Sequence, residues 1–208
     1  MPLFKTIEVN SQTIVKIWKI EESFDELMSQ IVLRSESEIR VLGMKSDIHR
    51  RGFLSIRMLL KEFGYQDSDL YYDEIGRPHL KDGKHISITH SFSFSAIILS
   101  ESVVGIDVEM QRDKIKLIAH KFIDYEFDYL DDSSENYVKY LTILWCVKES
   151  LYKLYKTPGL SFKNHCLVIP FSTNEAVSSA WIDYEGIKTK YEVHTLEFEE
   201  FTCAYALA

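Results

Sequence analysis

Two acidic residues alternate with apolar residues in the segment GIDVEM, residues 105–110. If this segment is a strand, the side chains of Asp107 and Glu109 point to the same face, where their like charges repel each other. A divalent cation such as Mg²⁺ would neutralise the pair, because carboxylate oxygens are its preferred protein ligands. The alternative is an exposed strand face on which both acids are solvated, and the string alone favours that alternative.

A third carboxylate and a lysine follow in the segment WCVKESLYK, residues 145–153. On a helix, Trp145, Glu149 and Lys153 share one face, because they are spaced by four residues. Glu149 is therefore a candidate third ligand for the cation, and Lys153 a candidate phosphate contact. The alternative is a surface ion pair worth a few tenths of a kcal/mol. Trp145 indicates that this face is partly buried, where charged groups need partners.

Histidine and basic residues add further candidates in the first half of the chain. His90, in the segment ITHS, has an ordinary pKa near neutrality and could bind phosphate or act as an acid or base; the alternative is a structural histidine. Seven Lys and Arg residues against three acids lie between Arg34 and Lys61. In a chain of net charge −8, this local excess predicts an anion site or an acidic partner, the alternative being a solvated helix face. No nucleotide-binding glycine motif of the Walker A or GxGxxG type is present.

Composition limits the classes of protein to consider. The chain has 208 residues, of which 46% are hydrophobic, so a packed core in one or two domains is expected. The net charge argues against a general nucleic-acid binder. Cys146, Cys166 and Cys203 are far apart and form no CxxC motif, which predicts neither a disulfide framework nor a zinc site and fits a reducing cytoplasm. No apolar run reaches the ~18 residues of a membrane span, so we expect a cytoplasmic protein without membrane segments.

Periodicity predicts the elements that must position these residues. Strands are expected at 5–9 and 13–19, in three segments over 85–110, and at 166–169, 180–184, 190–196 and 202–207. Helices are expected at 23–29, where Ser23 and Glu26 form a capping box, and at 46–64, 114–130 and 135–155. This order predicts an α+β protein with two similarly sized halves, 1–103 and 104–208. A cleft between such halves is a natural ligand site.

Seven strings, taken in order, resemble the 4′-phosphopantetheinyl transferases of the surfactin-synthetase-activating type. They are KSDIHR (45–50), GRP (76–78), ITHS (88–91), GIDVE (105–109), AHKFIDYE (119–126), WCVKESLYK (145–153) and GLSF (159–162). The resemblance is close over residues 40–165. The most specific part is the pair formed by GIDVE and WCVKESLYK, whose starts lie about 40 residues apart.

The resemblance implies a fold and an activity. The fold is an α+β pseudo-dimer of two similar halves, each with an antiparallel sheet packed on a long helix, with coenzyme A in the cleft between them. The activity transfers the 4′-phosphopantetheine arm of coenzyme A to a serine of an acyl- or peptidyl-carrier protein, leaving adenosine 3′,5′-bisphosphate. The implied cofactor is Mg²⁺, with Mn²⁺ also suitable, and the implied oligomeric state is a monomer. The alternative is an inactive homologue that binds coenzyme A or a carrier protein.

The resemblance also assigns roles to residues of the second half. Asp107, Glu109 and Glu149 would hold Mg²⁺ against the pyrophosphate. Lys153 would contact the α-phosphate and assist the leaving group. Glu149 is the hypothesised base for the serine hydroxyl. Lys148 would lie near the phosphates.

Residues of the first half would bind the nucleotide part of coenzyme A. The 3′-phosphate is assigned to Arg50 and Lys45, the other phosphates to His90 and Thr89, and the adenine to Arg77 and Pro78. Thr89 stands where the family commonly has Ser, and it keeps the hydroxyl. Arg77 stands where Lys is frequent, and its planar group could stack on adenine. The basic helix is also a candidate dock for carrier proteins, which are typically acidic.

Overall fold

The structure is a computed structural model that describes residues 3–172 and 177–208. The chain divides into two compact units, Met1–Ser102 (unit 1) and Val103–Ala208 (unit 2). Each unit contains an antiparallel sheet with a long helix against it, so the predicted α+β class is confirmed. No helix in the described part of the chain is long and apolar enough to cross a membrane.

Unit 1 is built on a four-stranded sheet of order β1-β2-β6-β5, in which all neighbours are antiparallel. A separate hairpin is formed by β3 and β4. The elements are β1 (Leu3–Asn10), β2 (Thr13–Lys19), α1 (Phe24–Ser29), α2 (Ser35–Gly43), α3 (Asp47–Glu62), β3 (Leu70–Tyr72), β4 (Pro78–Leu80), β5 (His85–Ser91) and β6 (Phe94–Ser100).

The long helix of unit 1, α3, begins after Ser46, whose side-chain oxygen accepts a hydrogen bond from the His49 amide. Its apolar face is buried against the sheet, and Leu54 and Leu59 are fully enclosed. The capping box of Ser23 and Glu26 at the start of α1 is also confirmed. Helix α2 was not predicted, because its first turn is polar.

Unit 2 is built on a five-stranded antiparallel sheet of order β7-β11-β10-β9-β8. The elements are β7 (Val104–Met110), α4 (Ile115–Phe122), α5 (Tyr137–Tyr155), α6 (Phe162–His165), β8 (Cys166–Val168), β9 (Val177–Tyr184), β10 (Ile187–Phe198) and β11 (Phe201–Leu207). The predicted strands of the C-terminal segment and the long helix are therefore confirmed. Helix α5 lies along β7 and β11.

The helix expected over 114–130 is shorter than predicted. It ends at Phe122, and a single 3₁₀ turn follows at Tyr125–Asp128. The carbonyl oxygen of Phe122 accepts a hydrogen bond from the side-chain amine of Lys148, 2.8 Å away. In a longer helix that oxygen would accept from the amide of Glu126 instead. A long-range contact thus replaces the next helical hydrogen bond.

A glycine allows α5 and β7 to approach closely. A Cβ atom added to Gly105 would lie 1.9 Å from the carbonyl oxygen of Ser150 on α5. The hydroxyl of Ser150 lies 2.9 Å from the carbonyl oxygen of Ala204 on β11, which ties the same helical turn to the next strand. The backbones therefore meet here without an intervening side chain, which brings the following turn of α5 beside Asp107.

Gly105→Ala should lower the free energy of unfolding by about 3 kcal/mol or more, because the new methyl group would overlap helix backbone that has no rotamer to move. Urea denaturation measures the loss. Gly43→Ala is the matched control, since an added Cβ there meets nothing within 4 Å, and its effect should stay within about 0.5 kcal/mol. Equal effects of the two substitutions would contradict the close approach.

Candidate active site

The centre of the candidate site is an ion pair between α5 and β7. The side-chain amine of Lys153 lies 2.7 Å from Oδ1 of Asp107 and donates a second hydrogen bond, 2.8 Å long, to the carbonyl oxygen of Ile106. Burial opposes the charge on this amine, but Asp107 and, to a smaller degree, Glu149 outweigh it and raise the pKa of Lys153. The lysine therefore remains a cation at neutral pH.

Glu149, one helical turn before Lys153, has the most perturbed carboxyl group of the site. Burial is the largest cause that raises its pKa, and repulsion from Asp107 and then Glu109 adds to it, against the opposing charge of Lys153. The result is a pKa of about 7. Both acidic residues of β7 therefore act electrostatically on Glu149.

The same carboxylates do not form a preassembled metal site. Among the residues that the structure describes, no three His, Cys, Asp or Glu side chains are grouped so that they could hold a metal ion. The structure thus does not show the predicted convergence of Asp107, Glu109 and Glu149 on one point, and Lys153 occupies an oxygen of Asp107. The chemistry of the donors nevertheless fits Mg²⁺, because carboxylate oxygens are hard ligands and the charges of Asp107 and Glu109 add to burial in raising the pKa of Glu149.

A cavity of about 250 Å³ lies beside Glu109 in unit 2. Its walls are largely apolar and come from the end of β7, from α4 and from α5; they include Met110, Ile115, Ile118 and Trp145. Arg112 and Lys114 add positive charge to its lining. The cavity can therefore take a thin, mostly apolar chain next to the carboxylates.

Lys148 lies in the core, and this corrects its predicted phosphate contact. Its amine lies 2.7 Å from Oε1 of Glu126, and it donates to the carbonyl oxygens of Phe122 and Phe162 at 2.8 and 3.1 Å. Both charged side chains are fully buried. Three acceptors use the three hydrogens of the ammonium group, so none is left for a phosphate oxygen.

Glu126 is a structural residue that sequence reasoning did not assign. It lies at the end of the matching string AHKFIDYE, which was the available signal, but its partner was not recognised. Besides Lys148, its carboxylate accepts hydrogen bonds from the amides of Val168 and Asp124, at 3.0 and 3.3 Å. The pair therefore links α5 to the 3₁₀ turn, to α6 and to β8.

Two candidates of unit 1, His90 and Arg50, are located at the N-terminal half of α3, where they have different neighbours. The imidazole of His90, at the end of β5, lies so close to Gly52 that an added Cβ would be 2.8 Å from its Nδ1 atom. The rings of His90 and His49 are 6.3 Å apart. Arg50 lies in the same helical segment, and its guanidinium carbon is 4.0 Å from the centre of the Phe24 ring. His90 thus packs against α3 at Gly52, whereas the side chain of Arg50, in the same helix, lies over Phe24 of α1.

The remaining candidates of unit 1 lie on other elements. Arg77 and Pro78 belong to the β3–β4 hairpin, where the Arg77 amide donates to Oδ1 of Asp73 at 2.8 Å. Thr89 is buried in β5, and Lys45 is exposed in the loop before α3. Their contacts with adenine and phosphate stay predictions.

Three of the seven basic residues between Arg34 and Lys61 have carboxylate partners. Arg57 and Arg34 share the buried carboxylate of Asp67, at 2.9 and 3.8 Å, and Arg51 pairs with Asp47. Asp67 lies outside the segment in which charges were counted, so the sequence overstated the positive surface. The anion site or acidic partner expected from the remaining excess stays a prediction.

A comparison with known protein families gives a match over the segment that contains the ion pair of Lys153 and Asp107. Residues 103–206 match the family model described as the 4′-phosphopantetheinyl transferase superfamily. None of the curated proteins matches the chain. The matched range spans nearly all of unit 2 and includes Asp107, Glu109, Glu149 and Lys153.

Glu126→Gln should destabilise the fold by about 3–5 kcal/mol, because it leaves the Lys148 ammonium buried without a counter-charge. Chemical denaturation at pH 7 measures this loss. Asp113→Asn is the matched control, since it breaks the exposed pair with Lys116 and should cost no more than about 1 kcal/mol. The double variant Glu126→Leu/Lys148→Met should recover part of the loss, and a loss of similar size in the double and single variants would contradict an electrostatic origin.

Glu149→Gln should stabilise the metal-free protein at pH 8 by about 1–3 kcal/mol, because the folded state raises the pKa of Glu149 and therefore disfavours its charged form. The gain should shrink as the pH falls through 7 and vanish below the ordinary pKa of about 4.5, where the carboxyl is neutral in both states. Denaturation in the presence of a chelator across this range tests the effect. Glu135→Gln, at an exposed position, should show no such pH dependence, and a pH-independent gain for Glu149→Gln would refute the assignment.

Proposed function

The chain belongs to the 4′-phosphopantetheinyl transferase superfamily, and from this premise we propose that it is a cytoplasmic transferase of the surfactin-synthetase-activating type. It moves the phosphopantetheine arm of coenzyme A to a serine of an acyl- or peptidyl-carrier protein and releases adenosine 3′,5′-bisphosphate. The observation that carries the proposal is the charged Lys153 held against Asp107, with the perturbed Glu149 one turn away.

The reaction needs a base and a cation at the phosphates. The serine oxygen attacks the phosphorus of the pantetheine phosphate, and the bond from that phosphorus to the bridging oxygen of the pyrophosphate breaks. Glu149 takes the serine proton, for which a pKa of about 7 is well matched at neutral pH. Lys153 keeps its charge and stabilises the α-phosphate of the departing nucleotide.

A divalent cation belongs to this proposal. Asp107, Glu109 and Glu149 would hold Mg²⁺ or Mn²⁺, both of which suit carboxylate oxygens. When bound, the metal neutralises negative charge on the pyrophosphate. Lys153, whose ammonium group forms an ion pair with Asp107, supplies the second positive charge at the phosphates.

Coenzyme A also needs contacts outside the carboxylate cluster. The resemblance assigns these to Arg50 and Lys45 for the 3′-phosphate, His90 and Thr89 for the other phosphates, and Arg77 and Pro78 for the adenine. We include in the proposal the pseudo-dimeric arrangement in which a monomer takes up one coenzyme A with residues of both units. Support comes from α3, which carries Arg50 and packs against His90 at Gly52.

The cavity beside Glu109 fits the remaining part of the substrate. The phosphopantetheine arm is a thin chain with apolar methyl and methylene groups and two amides. It starts at the phosphate that is transferred, so it must leave from the neighbourhood of the carboxylates. The apolar walls of the cavity, which include Trp145 and Met110, and the hydroxyl of Thr142 match that composition.

A second candidate is an inactive homologue that binds coenzyme A or a carrier protein. The observation that favours it is the absence of a preassembled metal site among the described residues. The presence of all three carboxylates and of a charged Lys153 favours the enzyme.

Incubation with coenzyme A, Mg²⁺ and several apo-carrier proteins decides between the two candidates. The wild-type protein should add one phosphopantetheine arm to the carrier serine, detected by intact mass, and a chelator should stop the reaction. Glu149→Gln and Lys153→Met should each lower the rate by about 100-fold or more, because they remove the base or the phosphate cation. Glu135→Gln should leave it unchanged.

Two results would contradict parts of the proposal. If no carrier gains mass while coenzyme A still binds, the inactive homologue is the better description. If Glu149→Gln transfers the arm at nearly the wild-type rate with Mg²⁺ present, Glu149 is neither the base nor an essential ligand.

A further inference from the structure

Arg50 is held in place by an aromatic ring. Its guanidinium carbon lies 4.0 Å from the centre of the Phe24 ring, which is a close cation–π contact. Its Nε atom is buried and has no hydrogen-bond partner among the residues that the structure describes. The side chain as a whole remains partly exposed, so part of it can meet a ligand.

Arg57 also lies over a ring, 3.5 Å from the centre of Phe53, but it differs from Arg50 in having a carboxylate partner. Arg57 and Arg51 each have a carboxylate partner at 2.8–2.9 Å, and that carboxylate occupies N–H groups that an anion would need. A guanidinium stacked on a ring keeps its N–H groups in its own plane, directed away from the ring. Stacking on Phe24 therefore orients Arg50 while its donors stay available to an oxyanion.

The position of Phe24 is itself fixed by local contacts. Phe24 is the first residue of α1, directly after the Ser23 cap, whose amide and hydroxyl both lie 2.8 Å from the Glu26 carboxylate. Leu27, in the same helix, is fully buried, and α1 packs on α3. The ring is thus presented to Arg50 by a capped and anchored helix.

We propose that Phe24 is a positioning residue that orients Arg50 toward the 3′-phosphate of coenzyme A and so sets the preference for coenzyme A over 3′-dephospho-coenzyme A. The inference rests on the proposed function, in which Arg50 contacts that phosphate. A phosphate monoester dianion binds an oriented, planar pair of N–H donors more tightly than a flexible pair, because two parallel hydrogen bonds form only in one orientation. Loss of the ring therefore weakens the contact without removing the charge.

Calorimetric titration with coenzyme A and with 3′-dephospho-coenzyme A tests this role without a carrier protein. Phe24→Leu should weaken the binding of coenzyme A by about 5- to 20-fold and that of the dephospho form by less than about 2-fold. Phe24→Tyr should keep the wild-type preference, because it keeps a ring. Phe63→Leu is the matched control, since it removes a half-buried ring that lies under another cation, 4.8 Å from Nζ of Lys16, and it should change neither affinity.

The outcomes separate this inference from the proposed function. An equal loss for both ligands in Phe24→Leu, or a wild-type protein without preference between them, overturns the role of Phe24 even if carrier modification proceeds. A preference that depends on the ring, in a protein that modifies no carrier, supports the role of Phe24 and overturns the transferase. A wild-type protein that binds neither ligand overturns both.

Discussion

The close contact between α5 and β7 is the constraint on which the site depends. Gly105 leaves no side chain between the strand and the carbonyl oxygen of Ser150, so the helix axis lies closer to the strand than any other residue would allow. One turn later, Lys153 reaches both a backbone carbonyl oxygen of β7 and the carboxylate of Asp107. The ion pair of the site therefore depends on the close packing of α5 against β7.

Two consecutive residues of α5 show how the same charged chemistry serves structure and function. The ammonium group of Lys148 is fully buried, and a carboxylate and two carbonyl oxygens satisfy its hydrogens. The pKa of Glu149 is raised by burial first and by the like charges on β7 in addition. A buried charge with every hydrogen bond made stabilises one conformation, whereas a carboxyl group destabilised by its neighbours is ready to take up a proton or a cation.

Sequence reasoning predicted most of the secondary structure and which residues share a face within one element, because both depend on short periods. The alternation in β7 put Asp107 and Glu109 on one face, and the helical spacing in α5 put Lys153 one turn after Glu149. The burial of a charged side chain could not be predicted from these periods. The burial of Lys148 depends on Glu126, which lies 22 residues earlier in the sequence, beyond the end of α4. Likewise, the compensation of Arg57 by Asp67 crosses the end of α3 and follows no helical or strand period.

In the ion pair of Lys153 and Asp107, the lysine serves as the protein's own counter-ion for the carboxylate. A carboxylate oxygen that already binds an ammonium group attracts a second cation less strongly, so the amine and a divalent metal compete for Asp107. An anionic substrate that draws the amine toward its phosphates relieves this competition. Thermodynamic linkage then requires that substrate strengthen metal binding by the same factor by which metal strengthens substrate binding. Under the proposed function, the ion pair of Lys153 would therefore weaken metal binding to the empty protein, and the two ligands would bind cooperatively.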